Sequence, residues 1–302
     1  MIKIYTIIVT YNAMRRDWIT RCLESLAKST VQMTAVVVDN GSTDGTREYV
    51  PAQYPQAVWL PQERNLGFGQ ANNLGIRYAL EHDADYVLLL NQDATLAPDA
   101  IERMLAASDG KSLLSPLHLN GDGTALDFMF HSTIRTTRQS PLLDDLLLRL
   151  PLKPSYETGE ICAACWFMPA ALIRKIGGFN PLFFHYSEDN NYFHRMVYHG
   201  VNTLVVPSAT MCHDRKVWGN AKAFHHQLVY RDLLLEACNI NHSFLRCCTG
   251  FLRILARCYV YDLRRQQYKP GSYTIGLLRC LGKARVIARS RKAEKREGAN
   301  WL

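Results

Sequence analysis

Short apolar runs alternate with amphipathic stretches over the first 117 residues of the chain. The runs at Ile4–Thr10, residues 35–39 and Tyr86–Leu90 consist mainly of Val, Ile and Leu. Between them, residues 19–27 and 69–80 carry apolar side chains at helical spacing. Strands that are apolar on both faces and separated by helices indicate a mostly parallel sheet covered on both sides. The pattern therefore predicts a doubly wound α/β unit.

The alternation weakens between residues 118 and 157, where a Leu-rich helix over residues 142–150 lies between two prolines. We interpret this part as an insertion or a lid over the site. Regular patterns then return, and the chain after residue 221 has helical spacing throughout. The other predicted elements are a strand over residues 161–168, helices over residues 169–176 and 188–199, and a strand over residues 202–206.

Charge is distributed unevenly along the chain. Of 302 residues 48% are apolar and 21% are charged, which excludes general disorder. The net charge is +8, but residues 243–302 alone hold 14 Lys and Arg against 3 Asp and Glu. The remainder holds 21 against 24, so the body is mildly acidic and the tail strongly basic. This asymmetry predicts an anionic partner for the tail.

Four arginines of the tail share one face of a predicted helix. Arg246, Arg253, Arg257 and Arg264 are 7, 4 and 7 residues apart, which places them within a stripe of about 40°. The stripe favours a helix lying on an anionic membrane; the alternative is a helix docked on the core with a solvated basic face. Residues 283–296 are expected to form an exposed, mobile basic cluster. The sequence has no nucleic-acid motif, so we expect no nucleic-acid partner.

Targeting signals and metal-binding cysteine patterns are absent from the sequence. No secretory signal and no apolar run of 18 residues is present, so we expect no transmembrane helix. The nine cysteines are irregularly spaced and are expected to be reduced thiols. Cys162 and Cys165 form a lone C-x-x-C pair, which we interpret as two small core residues.

Polar side chains follow three of the predicted strands. They are Thr10-Tyr11-Asn12, Asp39-Asn40-Gly41-Ser42 and Asn91-Gln92-Asp93. Ligands of open α/β sheets bind beyond the carboxyl ends of the strands, so these groups predict a nucleotide or cation site. The sequence has no phosphate-binding P-loop, and Gly67-Phe68-Gly69 lacks the third glycine of a dinucleotide fingerprint. A P-loop enzyme and a dehydrogenase are therefore disfavoured.

In their order and spacing, these motifs resemble those of the family 2 glycosyltransferases of GT-A fold. The resemblance covers roughly residues 3–220, and Asn91-Gln92-Asp93 resembles the rhamnosyltransferase-like branch, in which Asn-x-Asp often replaces Asp-x-Asp. The matching segments are residues 9–12, 38–45, 65–73, 90–93, 177–180 and 188–189, and His213 with Trp218-Gly219.

The resemblance implies a GT-A type, mostly parallel sheet with a helical C-terminal extension. Residues 1–220 would form the glycosyltransferase domain, with a nucleotide-binding half over 1–117 and an acceptor and catalytic half over 118–220. Residues 221–302 would form the basic helical extension.

The implied enzyme is an inverting, metal-dependent glycosyltransferase of bacterial surface polysaccharide biosynthesis. It would move a sugar, with L-rhamnose from dTDP-rhamnose as the candidate donor, onto a lipid-linked glycan. The implied location is cytoplasmic, peripheral at the inner face of the cytoplasmic membrane. Mg²⁺ or Mn²⁺, held by Asp93 and His213, would neutralise the leaving diphosphate.

Asp189 is the implied catalytic base and Glu188 its neighbour that orients the acceptor. Asp39 would accept a hydrogen bond from the base and Tyr11 would stack on it. Arg195 and Trp218 would contact acceptor or phosphate. The implied nucleotide-binding residues are Thr10, Tyr11, Asn12, Asp39, Gly41, Asn65, Gly67, Asn73, Asn91 and Gln92.

Alternative readings remain open at this point. Asp93 and Asp189 could be helix caps, His213 a surface or core residue, and Tyr11 a core aromatic. A sugar nucleotidyltransferase would need a glycine-rich basic loop, which residues 1–17 lack. A non-catalytic, membrane-docked binding protein with a degenerate transferase fold is favoured only by Asn91.

Overall fold

The structure is a computed structural model that describes residues 2–136, 141–215, 221–265 and 270–302. Within these residues nine strands form one sheet in the order β3-β2-β1-β4-β8-β6-β9-β5, and β7 pairs with β9. The strands are β1 Ile4–Thr10, β2 Thr34–Asp39, β3 Val58–Pro61, β4 Tyr86–Leu90, β5 Ala94–Leu96, β6 Leu113–Asn120, β7 Tyr156–Thr158, β8 Cys165–Pro169 and β9 Thr203–His213.

Helices flank both faces of the sheet and make up the C-terminal part. A short 3-10 turn at Arg15–Asp17 precedes the first of them. The α-helices are α1 Trp18–Ala27, α2 Thr46–Gln53, α3 Phe68–Glu81, α4 Ala100–Ala107, α5 Phe128–Thr136, α6 Leu142–Leu147, α7 Ala170–Ile176, α8 Glu188–Tyr198, α9 Ala221–Cys238, α10 Phe244–Arg265, α11 Pro270–Gly282 and α12 Ala284–Glu294.

The four strands β3, β2, β1 and β4 are parallel, as their apolar sequences predict. Their register pairs Thr10 with Asp39 and Asp39 with Pro61, so the carboxyl ends of β1, β2 and β3 lie side by side. Two apolar cores cover the two faces. One contains Ile8 with residues of α1 and α4, and the other contains Ile7 with residues of α3, α7 and α8.

The second half of the sheet is mixed. Strand β8 runs antiparallel to both β4 and β6, whereas β6 and β9 are parallel. Strand β9 extends to His213, well beyond the predicted end at residue 206. It continues because Thr210 to His213 pair with β6 on one side and with β5 on the other. These neighbours, and the short strands β5 and β7, are not visible in the local pattern.

The predicted insertion is a packed layer with its own small core. Phe130, Ile134, Leu142 and Tyr156 are buried there together with Val205 of β9. Helix α5, which the pattern did not predict, starts after Asp127, whose carboxylate accepts the backbone N–H of Phe130 at 2.9 Å.

The C-terminal helices pack on α9 and return to the catalytic half. Most basic side chains of residues 283–296 are exposed, as expected, but the segment is a helix packed on the fold and not a mobile cluster. Glu294 at the end of α12 is 1% exposed and accepts hydrogen bonds from Asn180 at 2.7 Å and Asn191 at 3.0 Å. The carbonyl of Asn300 accepts the N–H of Gly178 at 2.8 Å. The predicted domain boundary at residue 220 adjoins residues 216–220, which lie outside the description, and stays a prediction.

None of the described helices combines the length and the apolar character that a membrane span requires. All nine cysteines are free, as expected.

Candidate active site

The ends of β1 and β2 are joined by a buried hydrogen-bond network around Asp39. Its two carboxylate oxygens accept from Thr10 Oγ1 at 3.2 Å, from the N–H of Ser42 at 3.2 Å and from Arg47 Nε at 2.9 Å. Asp39 has no exposed surface, whereas the side chain of Arg47 is 38% exposed. A nucleotide base would therefore reach Asp39 only after Arg47 moves aside, and the base contact stays a prediction.

Tyr11 stands at the open side of this network. Its backbone N–H donates to Gln92 Oε1 at 2.9 Å, and Gln92 Nε2 donates to its carbonyl at 3.3 Å. The side chain is 48% exposed, which excludes the core-aromatic alternative and leaves the ring free to stack on a base. Asn12, with a positive φ of 51°, accepts the N–H of Thr43 at 2.9 Å through its amide oxygen.

Two of the glycines predicted to bind nucleotide lie at points where two backbone segments pack closely together. Gly67 has φ +85°, and an added Cβ would lie 2.0 Å from the carbonyl oxygen of Phe184. Gly41 has φ +82°, and its Cβ would lie 2.8 Å from the backbone of Arg64. Neither position tolerates a side chain. Gly67 thereby brings the start of α3 against the loop that precedes α8.

The side-chain amides of Asn65 and Asn73 form hydrogen bonds within the fold. Asn65 Oδ1 accepts from Asn40 Nδ2 at 3.0 Å and from the N–H of Gly67 at 2.8 Å. Asn73 is 5% exposed and exchanges two hydrogen bonds of 2.8 and 2.7 Å with the backbone of Phe179. The prediction that Asn73 contacts the nucleotide is corrected: it fixes the loop between α7 and α8 on α3.

Asp93 and His213 converge although 120 residues separate them in the chain. His213 Nε2 lies 3.2 Å from Asp93 Oδ1, and β5 aligns the two segments by pairing with the end of β9. A strand rather than a helix follows Asp93, so the helix-cap alternative for Asp93 is excluded. The imidazole is 2% exposed and the carboxylate 21%, which leaves one side of the pair open.

The donor set at this point fits a divalent cation. A carboxylate and a neutral imidazole are both ligands of Mn²⁺, and Mg²⁺ prefers the oxygen. Asn91 Oδ1 is buried beside them and has no hydrogen-bond partner among the described residues, while its Nδ2 lies 3.4 Å from His213 Nε2. Few protein ligands are needed, because phosphate oxygens and water complete the shell of such ions.

Asp127 and Arg215 support His213 from behind. Asp127 Oδ2 lies 3.7 Å from His213 Nδ1 and accepts from Arg215 Nε at 3.3 Å. A carboxylate beside the second nitrogen of an imidazole fixes the orientation of the ring. Sequence reasoning missed Asp127; its position just before a helix was the available signal.

Glu188 and Asp189 begin α8 after a sharp turn. Tyr186 and Ser187 have positive φ of 67° and 68°, which is unusual for residues other than glycine. Burial raises the pKa of Asp189, and the backbone N–H groups of Asn190 and Ala163 partly lower it. Burial and then the charge of Asp189 raise the pKa of Glu188 to about 8. Adjacent buried carboxyl groups do not readily ionise together, so the pair disfavours carrying two negative charges.

A third carboxyl group, which sequence reasoning missed, lies beside this pair. Glu160 Oε2 accepts from Asn190 Nδ2 at 2.6 Å, and its other oxygen lies 3.7 Å from His194 Nε2. Burial raises the pKa of Glu160, and the charge of Asp189 raises it further. Its isolated position in the sequence offered no signal.

Cys162 is within electrostatic range of both groups of acidic residues. Burial raises the pKa of its thiol to about 12, and the charges of Arg215, Asp189 and Asp127 all act on it. Cys162 is therefore a neutral thiol.

The prediction that Arg195 contacts acceptor or phosphate is wrong. Arg195 has no exposed surface and donates to the carbonyl of Ile176 at 2.8 Å and to that of Gly178 at 2.6 Å. Its guanidinium lies between the rings of Tyr192 and Trp301. Its role is to hold α8 against the C-terminus of α7. Trp218, the other predicted contact, lies outside the described residues.

Residues 5–142 match the family model described as "Glycosyl transferase family 2". The N-acetylglucosaminyl-diphospho-decaprenol L-rhamnosyltransferase of Mycobacterium tuberculosis is 29% identical over 226 residues, which cover 65% of this chain and 71% of that protein. Residues 5–142, just under half of the chain, thus have the sequence pattern of glycosyl transferase family 2. The chain is an enzyme of the glycosyltransferase class, which these similarities favour over the nucleotidyltransferase and binding-protein alternatives.

Two further similarities extend over nearly the whole chain. Rhamnosyltransferase WbbL of Escherichia coli is 24% identical over 274 residues, which cover 82% of this chain and 99% of that protein. The crystal structure of GalNAc-T7 with UDP, GalNAc and Mn²⁺ superposes with a TM-score of 0.60 at 15% identity, covering 100% of this chain and 56% of that one. The fold is the GT-A fold, and both sequence relatives named here are rhamnosyltransferases.

Proposed function

We propose that this glycosyltransferase transfers L-rhamnose from dTDP-rhamnose to a lipid-linked glycan, with inversion at the anomeric carbon. The observation that carries the proposal is the convergence of Asp93 and His213, 3.2 Å apart, on the edge of the sheet that also receives Tyr11 and Gln92. The names of two relatives, a decaprenol-linked L-rhamnosyltransferase and the rhamnosyltransferase WbbL, support the sugar and the lipid-linked acceptor.

In this proposal Asp93 and His213 hold Mg²⁺ or Mn²⁺, with Asn91 Oδ1 beside them. The bound ion would neutralise the charge that develops on the departing nucleoside diphosphate. Asp127 keeps the His213 ring in the orientation that presents Nε2 to the site. Tyr11 stacks on the thymine base, and Thr10 and Gln92 hold the loop that carries Tyr11.

Asp189 acts as the general base. Its carboxylate takes the proton of the acceptor hydroxyl while the hydroxyl oxygen attacks the anomeric carbon opposite the leaving group, which inverts the configuration. The position of Asp189 in the first turn of α8 stabilises the anion through the helix dipole. Glu188, protonated near neutral pH, is a hydrogen-bond donor toward acceptor or backbone.

The lipid-linked acceptor implies contact with a membrane, and α10 offers a suitable face. Phe251, Ile254 and Leu255 of α10 pack toward α9. On its outer side the helix exposes apolar residues spaced 7, 7 and 4 apart, flanked by exposed arginines at 246 and 253. The exposed residues are Leu245 at 74%, Leu252 at 69%, Tyr259 at 45% and Leu263 at 53%.

A helix with this apolar stripe and basic flank suits the surface of an anionic, cytoplasmic leaflet, as a peripheral contact. Each basic residue near the surface contributes about 1 kcal/mol. Arg257, the third predicted stripe residue, pairs with Asp232 at 2.8 Å, and the side chain of Arg264 lies outside the description.

The test is a transfer assay with labelled dTDP-rhamnose and a short-chain prenyl-diphospho-N-acetylglucosamine. The assay is run with Mn²⁺, with Mg²⁺ and with a chelator, on wild type, His213→Ala and the exposed-histidine control His131→Ala. Product with an inverted linkage, abolished by the chelator and reduced at least hundredfold in His213→Ala, is expected. Transfer from UDP-sugars but not from dTDP-rhamnose would replace the proposed donor, and transfer that ignores the chelator would remove the cation.

Membrane contact is tested separately by flotation with vesicles of phosphatidylglycerol or of phosphatidylcholine. Wild type is expected to float with the anionic vesicles at low salt, and Leu252→Asp is expected to remain at the bottom. Leu147→Asp, at an exposed leucine of α6, is the matched control. Equal flotation of both variants would reject the α10 face.

A further inference from the structure

Helix α9 brings a cationic side chain from the C-terminal region to the start of α8. Val229, Leu233 and Leu234 of α9 share a buried cluster with Phe183, which lies in the loop that leads to the catalytic pair. On the same helix, the Arg231 guanidinium lies with its carbon atom 5.0 Å from the centre of the Tyr186 ring. Tyr186 is two residues before Glu188 and three before Asp189.

The fold contacts the Arg231 guanidinium through the ring of Tyr186 but, in the described part of the chain, leaves its Nε unpaired. Its Nε is buried and has no hydrogen-bond partner among residues 2–136, 141–215, 221–265 and 270–302. By contrast, the nearby Arg291 donates to the carbonyls of Ala237, Asn239 and His242. An arginine with a structural role donates hydrogen bonds to the backbone in this way, and Arg231 does not.

Arg231 is close enough to the catalytic carboxyl groups to act on them. Its charge lowers the pKa of Glu188 and of Asp189, although in both groups burial has the larger, opposite effect. No carboxylate of the described part of the chain forms an ion pair with it within 4.0 Å. A cation with unused donors therefore borders the place where the acceptor hydroxyl must lie.

We propose that Arg231 binds the phosphate of the lipid-linked acceptor and thereby places its sugar hydroxyl against Asp189. This inference rests on the proposed function. A guanidinium presents paired N–H groups that match two phosphate oxygens, and it keeps its charge in partly buried places. The ring of Tyr186, 45% exposed, holds the guanidinium plane from one face.

Arg231 and the proposed cation-binding pair lie on different elements of the fold. Asp93 follows β4 and His213 ends β9, whereas Arg231 lies on α9. Phe184, two residues before Tyr186, is 57% exposed and offers apolar surface to an acceptor tail.

The first test is binding of geranyl diphosphate, with geraniol as the uncharged reference, measured by titration calorimetry in a chelating buffer. The chelator removes the cation, so the donor site, which needs it, does not bind the probe. The proteins are wild type, Arg231→Gln, Arg231→Lys and Arg285→Gln, an exposed arginine of α12. Thermal unfolding of each variant verifies that it is folded.

We expect wild type to bind geranyl diphosphate and not geraniol, and Arg231→Gln to lose at least tenfold in affinity. Arg231→Lys should lie between them, and Arg285→Gln should match wild type. Equal affinity in wild type and Arg231→Gln, an equal loss in Arg285→Gln, or no binding of the diphosphate by wild type would each overturn the assignment.

The second test uses steady-state transfer. Arg231→Gln should raise KM for a diphosphate-linked acceptor at least tenfold, leave KM for the donor unchanged, and have no effect with an acceptor glycoside that lacks phosphate. A raised KM for the donor would overturn the inference. If wild type transfers no rhamnose, the proposed donor fails, while the calorimetric test still decides the role of Arg231.

Discussion

The two halves of the molecule differ in how they treat buried polar groups. In the parallel half, Asp39, Thr10 and Asn73 are all satisfied by other parts of the fold. Among the described residues, the first buried side-chain polar atom without a partner is Asn91 Oδ1, directly after the parallel strand β4, and every other one is at or after Thr158. These later atoms include Glu188 Oε2, in the residue before Asp189, and Arg231 Nε.

A buried polar atom without a partner costs free energy unless a ligand or water supplies the bond. Apart from Asn91, the loops at the ends of the parallel strands therefore hold one another in place without a ligand. The unpaired atoms of the mixed half include Glu188 Oε2, in the candidate site, and Arg195 Nε, inside the fold. We therefore expect catalysis and acceptor binding to depend mainly on the mixed half.

The largest effect is expected from Asp189→Asn. The amide cannot accept the acceptor proton, so we expect transfer to fall by about 10²- to 10⁴-fold, while nucleotide binding in the parallel half stays unchanged. Rates and a nucleotide titration are measured side by side, with Asp99→Asn, which removes an exposed carboxylate just before α4, as the control. A full rate in Asp189→Asn would move the base to another carboxyl group, with Glu188 and Glu160 as the candidates.

Arg195→Met is expected to damage stability and not chemistry. The substitution leaves the carbonyls of Ile176 and Gly178 without donors in a buried place, at about 3 kcal/mol of unfolding free energy. Urea unfolding measures this loss, and Arg103→Met, which breaks an exposed pair with Asp99, should cost less than about 1 kcal/mol. A normal unfolding free energy with a raised donor KM would reinstate Arg195 as a ligand contact.

Asp127→Asn should weaken the apparent affinity for the cation about 10- to 100-fold. The amide still caps α5 but no longer carries the charge that faces His213 Nδ1. Rate as a function of Mn²⁺ concentration is the measurement, and the rate at saturating Mn²⁺ should approach that of wild type. Loss of rate that Mn²⁺ does not restore would argue for a structural role of Asp127.

The smallest effect is a pH dependence of stability due to Glu188. Its pKa is raised from 4.5 to about 8 in the folded chain, so folding favours the protonated form. This contribution is complete below about pH 4.5 and is lost as pH rises toward 8. Glu188→Gln stays neutral, so its stability relative to wild type should increase with pH, by at most about 1.4 kcal/mol per pH unit.

Unfolding free energies of Glu188→Gln and wild type between pH 5 and 8 provide the test. Glu63→Gln, at an exposed position, should show no such trend. A constant difference between Glu188→Gln and wild type across this range would mean that Glu188 is ionised in the folded chain.

The parallel half was predictable because its signals are local. A strand that is apolar on both faces and a polar residue at its end are adjacent in sequence, so β1 and β4 are predicted with their observed bounds. The pairing of Asp93 with His213 followed only from family resemblance, since no local pattern links residues so far apart. Strand β9 was cut short at residue 206 because its last residues owe their conformation to β5 and β6.

Arg195 and Arg231 show most clearly what the sequence alone could not predict. Both are arginines in helices with no distinguishing sequence context, yet Arg195 donates to two backbone carbonyls, whereas Arg231 lies against the ring of Tyr186 with no such acceptor among the described residues. By itself the sequence determined the order of elements, the edge of the sheet where ligands bind and the chemical types of the residues there. The tertiary structure alone decided which charged groups form hydrogen bonds within the fold and which remain available to ligands. The reason is that distant segments of the chain bury these groups and supply their hydrogen-bond partners.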